Sequence, residues 1–525
     1  MTHPPRLFRL YRFYTILLSL LGILLVLINT SAYGAGISSD GMEYIAAADN
    51  LLRGAGFTNF HGGPYILWPP LYPLILAGLQ WLTGTDLIFA GWILNAISFG
   101  LIIYLTSILL EICFPETLIW PILGTFISFI SMSYLTLASN IASDSLFIVM
   151  FLLFLIACQR YLTDSSRGAL VLLFILAMLA PLQRLLGACM VAVGALVVLV
   201  KHWDRRGKAL AGAVLFGLGA SLPILAWVIG RNYLQYGSMT GPRHFQVAYP
   251  MLNLAYHTRM ILHWFLPLSI LNRLPLWLVP GLALGAMLLL GRRQHWAALS
   301  RRLRSPSHWP MLVFSILYIS ILIPTTITFD HTHPYDDRFQ AVIFAPVWIL
   351  AFSLLEDLVI PALRSYRLPF VQPVVALLIV LWSIYPISLL QKYVQQSIQE
   401  GEALYNQYNT HSFQESPVVR YLNEHLLDTS LPVYSNDPEA AYLFSREITH
   451  YSPRDLENNE RNDEILLANY RGWPEEGVVY LVWFATRADR REFFTPDDLA
   501  EIANLEELFS HERSGAVYLV HSKYP

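Results

Sequence analysis

The chain has 525 residues, 55% of them hydrophobic and only 14% charged, where an ordinary soluble protein carries about 25% charged residues. A formal net charge of -3, with no basic excess and no aromatic-basic stripe, excludes a nucleic-acid binder. The three cysteines, Cys113, Cys158 and Cys189, each lie inside an apolar run, which excludes a disulfide framework or zinc site and makes them packing residues.

A helix needs about 20 mainly apolar residues to cross the hydrocarbon core. On that criterion about eleven spans are expected, at 13–33, 87–112, 118–137, 143–161, 168–182, 184–200, 208–229, 273–291, 309–328, 341–360 and 370–390. The first run is too long for a signal peptide, whose apolar region is about 7–15 residues, so it reads as a retained helix. Arg6, Arg9 and Arg12 place the N-terminus in the cytoplasm. Alternating spans then collect the basic loops on that side: Arg160 and Arg167; Lys201, Arg205, Arg206 and Lys208; Arg292 to Arg304; Arg364 and Arg367. The opposite loops, 38–68, 139–144, 232–272 and 330–338, are acidic or mixed. Eleven spans leave the tail outside.

After about Gln391 charges and asparagines become frequent and no run could span a bilayer. Strand-like runs at 431–434, 478–484 and 516–520 alternate with helical patterns at 417–427, 438–446 and 496–505, which is the pattern of a small α/β domain. Ser416-Pro417 and Thr495-Pro496 put a capping residue before a proline at the first helical position. The expected fold is thus a polytopic α-helical membrane protein with a C-terminal extracytoplasmic α/β domain. Residues 1–390 form the membrane domain, including a first outer loop at 34–86, and residues 391–525 form the soluble one.

The first outer loop reads Ser38-Ser39-Asp40-Gly41-Met42-Glu43-Tyr44, continues through Ala46-Ala47-Ala48 and Leu51-Leu52-Arg53-Gly54, and ends at Trp68-Pro69-Pro70-Leu71-Tyr72-Pro73. From pattern alone, Asp40 with an acid three residues on has the form of a helix cap. The segment also resembles the first periplasmic loop of glycosyltransferase family 39, a GT-C type family that includes protein O-mannosyltransferases, lipid A aminoarabinose transferases and Rgt-like lipopolysaccharide sugar transferases. Where many members carry a second acid directly after the Asp, this chain has Gly41, which puts any role for Glu43 in doubt. Further segments resemble the same family: Ala142-Ser143-Asp144-Ser145, Pro181-Leu182-Gln183-Arg184 with Gly187, Arg231-Asn232-Tyr233 with Gly241-Pro242-Arg243, and Asp337-Arg338-Phe339.

The resemblance implies a GT-C membrane protein of the inner membrane that transfers a sugar from a polyprenyl-phosphate donor to a lipid, glycan or protein acceptor. It implies Asp40 as general base of an inverting displacement, with Asp144 orienting the acceptor, Asp40 or a divalent ion. Arg184 and Arg338 are expected to hold the lipid phosphate, which suits guanidinium geometry, with Tyr44 and Arg243 as further substrate-binding residues. No cofactor is certain. His331 and His333, with Asp330 and Asp336, have ligand types for a metal, yet their spacing matches no strong motif and a hydrated loop accounts for them. Phe57, Phe60, Tyr65 and Trp68 read as interfacial anchors. The rival class is a secondary transporter or lipid flippase, which favours broken helices near the midplane and paired repeats; the acids here fall at outer mouths, and no repeat is visible.

Overall fold

The computed structural model describes residues 5–241, 250–329, 337–364, 370–401, 408–425, 431–454, 456–457, 460–461, 467–485 and 493–523. The chain divides into two compact units. One comprises Met1–Asn29, Ile66–Tyr72 and Gly91–Gln395; the other joins Thr30–Tyr65 and Pro73–Ala90 to Gln396–Pro525. The first-loop segment thus packs with the C-terminal segment, hundreds of residues away in sequence.

The described residues of the first unit form helices joined by turns, with no strand among them. Its opening helices are α1 (Pro5–Asn29), and then, with α2 (Ser39–Leu52) and α3 (Leu71–Thr83) intervening in sequence, α4 (Leu87–Cys113), α5 (Ile119–Phe129), α6 (Met132–Ala138), α7 (Asp144–Asp164), α8 (Arg167–Gln183), α9 (Ala188–Lys201) and α10 (Arg206–Leu225). Among the described residues, seven helical stretches are long and apolar enough to cross a membrane, and the bent pair α5–α6 makes an eighth. The three remaining expected spans fall on shorter helices: α8 of 17 residues, α9 of 14 and Leu278–Leu290 of 13. The protein is therefore a multi-pass membrane protein. The first span starts earlier than expected, at Leu7 rather than residue 13, because Arg9 and Arg12 lie within the helix and interrupt only its hydropathy.

Helix–helix contact inside a bilayer gains little from the hydrophobic effect and depends on close packing of small against large residues. Gly194 on α9 lies under the Phe216 ring of α10, and Gly124 on α5 faces Leu110 of α4. The centre is filled by fully buried aromatic side chains, with Phe151 against Phe314 at 4.1 Å between ring centroids and Trp120 stacked on Phe352 at 5.1 Å. Cys113, Cys158 and Cys189 are buried and unpaired, as packing residues would be. Polar contacts pin individual segments: the Asn95 side chain on α4 donates to the Asn140 carbonyl, and Arg302 forms a two-pronged pair with Asp357 at 2.5 and 3.0 Å.

The second unit carries a five-stranded sheet in the spatial order Thr449–Tyr451, Val433–Ser435, Val478–Phe484, Gly515–Ser522, Ala503–His511. The first two pairings are parallel and the last two antiparallel. Helices Pro417–Glu424, Pro438–Ser445 and Pro496–Ile502 each begin with the expected proline. Thr495 caps the last in a full capping box with Asp498. The helical reading of 496–505 runs too far: from Ala503 the chain is a strand paired with Gly515–Ser522 through a turn at 512–514, after which Gly515 takes a φ of +132°. The first loop contributes α2, and Phe60 and Tyr65 are 2% and 1% exposed, so they are core residues of this unit rather than interfacial anchors. They are buried because the Thr58–Pro64 bridge folds the loop back on itself.

Candidate functional site

Three distant segments of the first unit converge on one carboxylate. Asp144 opens α7, where an acid is favoured by the helix dipole, and its side chain is 1% exposed. Arg184 pairs with its Oδ1, and the Arg338 Nε sits 3.0 Å from its Oδ2. Both guanidiniums also lie over the ring of Phe339, at 5.5 and 5.9 Å from its centroid. A buried charge is expensive unless paired; here one anion faces two cations, so these three groups together carry a charge of +1.

Local sequence explains how Arg184 reaches this point. Pro181 cannot continue the hydrogen-bond ladder of α8, and the helix stops two residues later. Arg184 itself is extended, with φ -151° and ψ 136°, between α8 and a 3-10 turn at Leu185–Gly187. That turn folds tightly against α8: a Cβ on Gly187 would run into the Ala180 carbonyl. The Gln183 side chain anchors the same break by donating to the Ser143 carbonyl at 2.9 Å, one residue before Asp144. Arg338 leads into a 3-10 turn at Gln340–Ile343, held by the Tyr318 hydroxyl donating to the Phe339 carbonyl at 2.9 Å. Asp337 turns the other way, accepting from Ser133 and, at 3.1 Å, from the indole of Trp264. Arg338 thus pairs with Asp144, and Asp336 lies outside the described residues. The aromatic floor, Phe339, was named in the motif but given no role; its position directly after the arginine was the available signal.

Asp40 and Tyr44 belong to the second unit. Ser38 caps α2, its hydroxyl accepting from the Gly41 amide at 3.4 Å, so the cap is Ser38 and not Asp40. Asp40 lies in the first turn and is half-buried; Tyr44 is 3% exposed. Glu43, one turn beyond Asp40, is 6% exposed and its carboxyl is pushed up to about 8, chiefly by burial and then by the charges of Glu439 and Asp40. At neutral pH it is therefore protonated and adds no second negative charge beside Asp40. Glu439 accepts from Ser39 at 2.9 Å and from Tyr408 at 2.7 Å, while the Tyr442 hydroxyl donates to Asp49 at 2.9 Å, which fixes the orientation of α2 within its unit.

Arg243, and the His331 and His333 loop with Asp330 and Asp336, lie outside the described residues. Arg231, expected near the same loop as Arg243, sits in a π-helical turn at Ala226–Tyr233 over the Trp227 ring at 4.3 Å. Among the described residues no three His, Cys, Asp or Glu side chains gather as a metal site would require.

No protein-family model and no curated protein sequence matches the chain. Solved structures do. ArnT from Cupriavidus metallidurans in the apo state superposes with a TM-score of 0.59 at 14% identity, covering 97% of this chain and 98% of that one. The chain has the GT-C fold. A second ArnT structure, bound to undecaprenyl phosphate, matches the same fold with a TM-score of 0.58 at 13% identity, over 96% of this chain and 98% of that one. The oligosaccharyltransferase of Archaeoglobus fulgidus aligns more weakly, at a TM-score of 0.48 and 13% identity over 98% of this chain and 75% of that one. The likeness establishes the GT-C fold expected from sequence and does not place the chain in family 39.

Proposed function

We propose that this protein is a membrane glycosyltransferase that moves a sugar from a polyprenyl-phosphate donor to an acceptor on the extracytoplasmic face of the inner membrane. The observation that carries the reading is the buried Asp144 holding Arg184 and Arg338 side by side in a GT-C fold. Two guanidiniums fixed by one carboxylate are preorganised for a phosphate, and a preorganised cation costs no reorganisation when charge develops on a leaving group. That an ArnT structure holds undecaprenyl phosphate supports a donor of this class.

In the proposed reaction the acceptor hydroxyl oxygen attacks the anomeric carbon as the bond from that carbon to the phosphate oxygen breaks. The electron pair of that bond leaves with the carrier phosphate, whose charge Arg184 and Arg338 meet. Asp40 takes the hydroxyl proton, and the configuration inverts. Positioned acid–base groups give about 100- to 10,000-fold, and loss of one preorganised donor costs about 100- to 1,000-fold, so the two functions together account for a substantial acceleration.

The test is retention of radiolabelled undecaprenyl phosphate by the purified protein in mild detergent. Wild type is expected to retain it, and Arg184→Gln and Arg338→Gln each to lose most of it with an unchanged unfolding midpoint. Equal retention in all three would remove the cluster from donor binding and favour the transporter or flippase reading.

A further inference from the structure

The opposite end of α7 holds a second feature that the proposed reaction does not use. The C-terminal ends of α7 and α9 meet the starts of α8 and α10 around an open groove of about 660 Å³, within the range of about 300–1,000 Å³ typical of ligand sites. Its walls are apolar: Leu170 and Phe174 from α8, Val198 from α9, and Leu215 and Phe216 from α10, with the Phe174 and Phe216 rings edge to face at 5.4 Å. Its rim is basic, formed by the exposed His202, Arg205 and Lys208. Lys208, Gly212 and Leu215 stand at i, i+4 and i+7 on α10, so one stripe of that helix runs from cation through a gap to apolar wall. The Tyr161 hydroxyl, 3.0 Å from the His202 Nε2, ties the rim to α7.

We propose that this groove binds an anionic diacyl phospholipid, its phosphate on Arg205 and Lys208 and an acyl chain against Phe174, Leu215 and Phe216. Charge complementarity selects this occupant. Apolar walls alone would accept any chain, but a rim of two fixed cations and an imidazole requires a negative head at the depth where the helices end. Tyr161 lies 17 residues beyond Asp144 on α7, about 25 Å at 1.5 Å per residue, against a hydrocarbon core of about 30 Å. The groove therefore meets the headgroup layer of the leaflet remote from Asp144, and its occupant is a component of that leaflet rather than the donor held at the arginine pair. Asp204, in the same turn as Arg205, is the nearby acid on that element, and it does not line the groove.

The experiment is native mass spectrometry of the full chain in mild detergent, titrated separately with dioleoyl phosphatidylglycerol, dioleoyl phosphatidylcholine and undecaprenyl phosphate. One phosphatidylglycerol is expected to be retained in preference to phosphatidylcholine. The Arg205→Gln and Lys208→Gln double variant, which alters only exposed side chains, is expected to lower that retention about 10- to 30-fold, from the contribution of each basic residue near a membrane surface. Gly212→Leu fills the groove from a position where a Cβ meets only Val198, at 3.4 Å, and is expected to abolish retention while leaving the rim charged. Equal retention of the two phospholipids, retention unchanged in the double variant, or preferential retention of undecaprenyl phosphate that Arg205→Gln and Lys208→Gln abolish would each overturn the proposal.

Discussion

Glu43 is a buried acid on α2, one turn beyond Asp40. Its carboxyl is pushed from 4.5 to about 8 in the folded protein, first by burial and then by Glu439 and Asp40, and its Oε2 has no hydrogen-bond partner among the described residues. Between those two values the folded state binds a proton that the unfolded chain has released. Stability therefore falls as pH rises through this window, by about 1.36 kcal/mol for each pH unit. The contribution is absent below the unfolded value, grows from about pH 4.5, and saturates above about pH 8 at roughly 4–5 kcal/mol. Glu43→Gln keeps the size of the side chain and cannot ionise. The assay is chemical unfolding of wild type and variant in the same detergent at pH 5, 7 and 9. The two should be nearly equal at pH 5, and Glu43→Gln should be more stable by a few kcal/mol at pH 9. A difference that stays constant with pH, or one that favours wild type at pH 9, would refute the reasoning.

Other expectations follow from the carboxylate cluster and the soluble segment. Asp144→Ala removes the buried carboxylate between the half-buried Arg184 and Arg338 guanidiniums and should cost on the order of 3–5 kcal/mol, read by chemical unfolding, whereas replacing the exposed Arg420 of the Arg420–Glu415 pair should change stability by less than about 1 kcal/mol. Gly187→Ala forces the turn away from Ala180 and with it Arg184; a misplacement of about 1 Å can cost about 100-fold in rate, measured as sugar transfer at saturating donor. Thr495→Ala removes the hydroxyl that accepts from the Asp498 amide at 3.3 Å and should lower stability by about 1 kcal/mol, seen as faster amide exchange in helix Pro496–Ile502.

Much of the membrane part was legible in the sequence because its determinants are local. A run of apolar residues long enough to cross hydrocarbon declares itself, and each of the eleven expected runs falls on a helix. The short helices α8 and α9 passed as spans on hydropathy alone, the break between them falling at Arg184, just beyond Pro181 near the end of α8. The meeting of Asp144, Arg184 and Arg338 was not legible: each was named singly, but residues 40 and 194 positions apart come together only through tertiary packing. The same holds for Phe60 and Tyr65, whose aromatic character suits a membrane surface equally well until the Thr58–Pro64 bridge buries them. The start of the strand Ala503–His511 was hidden because Leu505 continues the three-residue spacing of Leu499 and Ile502, while pairing with Gly515–Ser522 decides for sheet.

Glycosyl transfer is tested by sugar release from a panel of radiolabelled polyprenyl-phosphate sugars by the purified protein in lipid, with acceptor extract present, comparing wild type with Asp40→Asn. Release by wild type that disappears in a variant with the same unfolding midpoint is the expected result. Silence of wild type across the whole panel would rule out glycosyl transfer from these donors, and equal release by both proteins would remove Asp40 as the general base.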